Sequence, residues 1–175
     1  MTQTKFDNLS LLARIAYGIM SAENYVLKLY PTRNWKPFFK KFWSITTEGV
    51  YWDEWSYEIM EIIPEYLFEF DNYKDAQFEY LSENEYNFYV NLLKDTSKSL
   101  NDILMFTNHI LEPYLYTEIT DNYLSTIPEL TKIDEILSFE NIDLPDITKV
   151  ASSNCNEDRG FGNSLDAKSI SKFLQ

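Results

Sequence analysis

One cysteine and one histidine are all that this 175-residue chain offers of the two residue types most used in site chemistry. The lone thiol, Cys155, excludes an internal disulfide and agrees with a reducing compartment. With His109 the only imidazole, the usual zinc sites lack the three or four nitrogen and sulfur ligands they need. A hydrolytic triad would have to use His109 as its base, yet that residue lies in an apolar helical pattern that gives it a structural role. Cys155 stands in a polar loop, 46 positions further on, which leaves a Cys–His pair as the one nucleophilic alternative. Glycine and proline are also scarce, at four and six, which leaves little room for a turn-rich β architecture. No run of 18 apolar residues occurs, so no transmembrane helix is expected. The first twenty residues have Asp7 and Asn8 before their apolar part and no small-residue cleavage site, unlike a signal peptide. A cytoplasmic location is the expectation.

Positive charge is the next shortage. Fifteen Lys and Arg face 28 Asp and Glu, for a net charge of −13 and a pI near 4.4. Such a field opposes nucleic acid and anionic lipid and favours a basic partner, or no charged partner. An acidic surface can also imitate a phosphate backbone. The carboxylates do not suggest a metal site, because no segment has the alternating Asp or Asn with central glycine of a calcium-binding loop. Gly160-Phe161-Gly162 is too short for a nucleotide-binding glycine motif and reads as a turn whose Phe161 packs back on the core. No catalytic residue, cofactor or metal ligand is therefore assigned.

What the chain does have is concentrated between Glu48 and Glu85. This stretch carries twelve acidic residues and one base, Lys74, and so −11 of the total charge, together with ten aromatics. Trp52, Trp55, Ile59 and Ile62 fall on one helical stripe, while Glu54, Glu58, Glu61 and Glu65 fall on another about 200° away. Like charges at i,i+4 cost a few tenths of a kcal/mol per pair, which an apolar face on the other side can offset. The row of carboxylates is either a solvated face or a partner-binding one. A balanced solvated face would intersperse Lys and Arg, and this one does not.

Taken in order, the chain reads as one all-α domain over 1–175, a bundle of about six to seven helices with an irregular C-terminal part. A first helix is expected from Phe6 to Leu29, capped by Asp7 or Asn8 and ended by Tyr30-Pro31. A second spans Trp35 to Thr46 and carries the basic cluster Arg33, Lys36, Lys40 and Lys41. That cluster either complements the acidic helix beside it or forms a phosphate patch with Trp35 and Trp43 as stacking platforms. The acidic helix begins at Tyr51 and ends or kinks at Pro64. Ser82 and Glu85 form a capping box for a helix to about Lys94. Another starts at Ser97 or Ser99 and runs to about Thr120 with a kink at Pro113, and a further one spans Pro128 to Phe139. Residues 151–164 have loop composition, and Asp166 caps a short last helix.

The run from Trp43 through Trp52-Asp53-Glu54-Trp55, Ile63-Pro64-Glu65 and Leu81-Ser82-Glu83-Asn84-Glu85-Tyr86 resembles the small, mostly helical immunity proteins of bacterial polymorphic toxin systems. The resemblance covers about Trp35 to Lys94, and the Tyr-, Asn-, Lys- and Ile-rich composition is similar too. It implies a cytoplasmic protein that binds and blocks a cognate toxin domain without chemistry of its own. The residues read independently point the same way, since an acidic face beside aromatic anchors suits fast binding of a basic partner. The residues expected to contact it are Tyr51, Asp53, Glu54, Tyr57, Glu58, Glu61, Glu65 and Tyr66. An acidic nucleic-acid mimic and a carboxylate–metal enzyme are the alternatives from other classes.

Overall fold

Helix α1, Leu11–Leu29, is the axis of the molecule, and every residue from Leu11 to Glu23 is buried. Its sequence explains this, because LLARIAYGIMSA is apolar on all sides and a helix of that kind is stable only when surrounded. The computed structural model describes residues 4–116 and 124–175. Among them lie nine α-helices and no strand: after α1 come α2 Lys36–Trp43, α3 Trp52–Met60, α4 Pro64–Leu67, α5 Tyr73–Ala76, α6 Glu83–Leu93, α7 Lys98–His109, α8 Ile127–Phe139 and α9 Ala167–Ile170. The all-α class is as expected. Helices α2, α7 and α8 pack directly on α1, α7 also packs on α8, and α3 lies against α7.

Closest approach between α1 and α7 is set by Gly18. A Cβ there would stand 2.5 Å from Oγ1 of Thr107 and 2.9 Å from its Cγ2. Thr107 cannot easily yield, since it is buried and its hydroxyl donates to the Ile103 carbonyl at 2.7 Å. Gly18→Ala should therefore destabilise by about 1–3 kcal/mol through overpacking, although alanine is the better helix former. A urea-unfolding midpoint equal to wild type would show that the two helices separate at little cost.

Several helix ends differ from the sequence reading. The first helix starts at Leu11, capped by Ser10, whose Oγ accepts from the Ala13 N–H at 3.1 Å. Asp7 instead turns back to Thr4, accepting from its backbone N–H at 3.0 Å. Helix α2 ends at Trp43 and passes into a 3₁₀ turn, Ser44–Thr46. Pro64 neither ends nor kinks the acidic helix, which already stops at Met60; it opens α4, where its missing N–H is not needed. Helix α7 stops at His109 rather than continuing, and Pro113 lies in a separate 3₁₀ turn, Glu112–Tyr114. The part of that expectation at Thr117 to Thr120 falls outside the described residues.

Local signals held elsewhere. The Ser82–Glu85 capping box is formed, Ser97 caps α7, and Asp166 caps α9 by accepting from the Lys168 N–H. The irregular C-terminal part contains short 3₁₀ turns, Ile147–Lys149 and Asp158–Gly160, and returns to the start of α1. There Leu9 and Asn154 form an isolated antiparallel bridge, and the Leu12 N–H donates to the Phe161 carbonyl at 3.2 Å. Phe161 packs against the core with its ring edge-on to Trp52, centroids 5.1 Å apart, as the turn reading required.

Candidate partner-binding face

Helix α3 is oriented by what it buries. The Trp55 indole N–H donates to the carbonyls of Phe42 and Lys41, at 3.1 and 3.3 Å, and Ile59 is fully enclosed. Ser56 is buried as well and donates to Asn108 Oδ1 of α7 at 3.0 Å. Three anchors on one side leave the opposite side outward. Tyr51 is 69% exposed there and Tyr57 46%, with Asp53 and Glu54 between them.

The row of carboxylates does not act as a unit. Glu58 is ion-paired with Lys41 of α2, which also reaches Glu85 at 3.4 Å. Glu61 turns both oxygens inward on the chain, accepting the backbone N–H groups of Glu79 at 2.6 Å and Tyr80 at 2.9 Å. Glu65 is exposed and accepts from the Asn101 side-chain amide at 3.4 Å. Among the described residues no Lys or Arg pairs with Asp53, Glu54 or Glu65. Of the eight residues expected to form the contact surface, Tyr51, Asp53, Glu54 and Tyr57 come together on one outward face. Tyr66 is half-buried beside them, and Glu58 and Glu61 hold the fold around it.

Two tyrosines join this face that the sequence did not select. Tyr116, 72% exposed, brings its hydroxyl to 3.3 Å from that of Tyr57. That hydrogen bond, with partial desolvation and the charge of Asp53 nearby, pushes the Tyr116 phenol up to about 12. Tyr80 is raised as well, first by desolvation and then by the charges of Glu79, Glu54, Glu61 and Asp53. Tyr80 was visible as one more aromatic in the acidic stretch. Tyr116 lies 59 positions from Tyr57 and carried no local signal.

Tyr57, Met60 and Tyr66 form a wall between two clefts. One, of about 260 Å³, is also lined by Glu61, Glu69, Phe70, Phe78, Glu79 and Tyr80. The other, of about 240 Å³, is lined by Ser56, Asn108, His109, Glu112, Leu115 and Tyr116. His109 is half-exposed there, with Nε2 3.9 Å from the Glu112 carboxylate. Among the described residues, no three His, Cys, Asp or Glu side chains are grouped so as to hold a metal ion.

Of the basic cluster, Lys41 and Arg33 are engaged within the chain, while Lys36 and Lys40 are exposed and form no ion pair among the described residues. Lys41 serves Glu58 and Glu85, and Arg33 donates to the carbonyls of Leu92 and Lys94 at 2.7 Å while its guanidinium covers the Tyr30 ring. Trp35 and Trp43 cannot act as stacking platforms. Each is 1% exposed, and their indole N–H groups donate to Tyr30 O and to Glu23 Oε1. Of the four, only Lys41 complements the acidic segment, through Glu58 and Glu85. Among the described residues no helix is long and apolar enough to cross a membrane. No protein-family model, curated protein or solved structure matches the chain significantly.

Proposed function

We propose that this is a cytoplasmic binding protein of the immunity type, which neutralises a basic toxin domain by covering it with the outward face of α3. One observation carries the reading: half-buried Asp53 and exposed Glu54 stand between Tyr51 and Tyr57, and no Lys or Arg among the described residues pairs with either. Charges left unneutralised at the surface raise the encounter rate with an oppositely charged partner, and exposed tyrosines supply contact area at small entropic cost. Because Glu58 and Glu61 support the fold, the contact is assigned to Tyr51, Asp53, Glu54, Tyr57 and Tyr116, with Glu65 and Tyr66 at its margin. The protein acts by occlusion and needs no catalytic group.

The test has two stages. Tagged protein captured from a lysate of its source should retain one stoichiometric partner with a basic domain. Neutralising the face with Asp53→Asn and Glu54→Gln should then slow association about threefold to tenfold at low salt, with the difference fading as salt is added. No stoichiometric partner, or an unchanged rate and salt dependence, would overturn the reading.

A further inference from the structure

The 260 Å³ cleft beside α3 differs from the rest of the acidic surface because it is both concave and aromatic. Tyr57 and Tyr66 form one wall and Tyr80 stands on the other. Three carboxylates, Glu61, Glu69 and Glu79, also line it, and no Lys, Arg or His is among its described lining residues. Its shape is fixed rather than accidental, since Glu61 clasps the backbone N–H groups of Glu79 and Tyr80 and so ties the far wall to α3. That clasp occupies Glu61, while no hydrogen bond or ion pair within the described chain engages the carboxylates of Glu69 and Glu79.

We infer that this cleft receives an arginine side chain of the partner. The inference rests on the binding function proposed above and names the group that enters it. Aromatic faces attract a cation through the ring quadrupole, and a planar guanidinium stacks on them better than a compact ammonium does. Carboxylates at the rim supply acceptors for the N–H fork, which a neutral apolar side chain would leave desolvated and unused. A partner arginine seated here would lie beside Asp53 and Glu54, so steering and anchoring would use adjoining parts of one surface.

The probe is N-acetylarginine amide, titrated into the full chain with ¹³C-labelled tyrosines, against the neutral isostere N-acetylcitrulline amide. The ring signals of Tyr57, Tyr66 and Tyr80 should shift saturably with the arginine compound and not with citrulline. Glu69→Gln combined with Glu79→Gln, both exposed and outside the clasp, should weaken binding about tenfold. Equal responses to both compounds, silent rings with arginine, or undiminished binding by the double variant would each overturn the inference. The outcome is separable from that of the function itself. Capture of a basic partner whose binding depends on Asp53 and Glu54, with no arginine response in the cleft, removes the cleft alone. An arginine response without such a partner leaves a cation site and removes the toxin reading.

Discussion

Replacing Arg14 with methionine is expected to remove about 3–5 kcal/mol of stability, a large share of what a domain of this size has. The side chain is completely enclosed, one turn into α1. Its Nε donates to the Leu9 carbonyl at 3.1 Å, Nη2 to the Phe6 carbonyl at 3.0 Å, and Nη1 to Thr126 Oγ1 at 2.7 Å. One guanidinium thus ties the segment before α1 and the residue before α8 to the central helix. Methionine matches the apolar stem but not the guanidinium atoms beyond it, so the loss combines the void left there with the stranded acceptors. A buried polar group left without its partner costs about 1–3 kcal/mol, and here the two carbonyls lie in a buried setting. Arg14→Lys should recover only part, because an ammonium on a flexible stem cannot reproduce the fork. Unfolding in urea followed by circular dichroism measures both variants. A methionine variant within about 1 kcal/mol of wild type would show that the three bonds are replaced by water.

The second large effect belongs to Glu23, at the other end of the same helix. Its carboxylate accepts from the Trp43 indole at 2.8 Å, from the Ser171 hydroxyl at 2.5 Å and from the Lys172 backbone N–H at 2.9 Å. Glu23→Ala strands all three donors and should cost about 3–5 kcal/mol, read as a shift in unfolding midpoint. Acidity separates the opposing influences on this group. Burial is the largest and raises its pKa, while the bonds from Lys172, Ser171 and Trp43 lower it, and the net shift is upward. A carboxyl whose pKa is higher folded than unfolded stabilises fully below its unfolded value and loses that contribution as pH rises through the folded one. Wild type should therefore gain stability relative to Glu23→Gln as pH falls towards 4.5, the ordinary glutamate value. The opposite trend would mean that the three donors outweigh desolvation.

What could be read from the sequence follows from the range of the interaction responsible. Helix faces and caps depend on residues three or four apart, so the Ser82–Glu85 box, the Ser97 and Asp166 caps and the buried side of α3 were all legible. Asp7 and Asn8 were equally good caps on paper. Ser10 takes the position because its hydroxyl also meets that of Ser153, 143 residues away, at 2.7 Å. The acidic row misled in the same manner. Its period placed Glu58 and Glu61 with Glu54, yet Lys41 and the backbone of Glu79 and Tyr80 come from other segments and redirect them. Exposed Glu54 and Tyr57 follow from helical period alone, whereas Tyr116 and the cleft arise only when α7 and the loop after α4 are brought against α3.

The central place of α1 has a consequence for how the protein is made. The largely buried α1 leaves the ribosome before α7 and α8, which cover it and follow only at Lys98–His109 and Ile127–Phe139. The carboxylate of Glu23 waits longer still, for Ser171 and Lys172. Until then the nascent chain exposes its most insoluble segment, and such surfaces are what chaperones bind and what aggregates grow from. Slow or interrupted translation past α6 should thus be more harmful to this protein than an equal delay after α8.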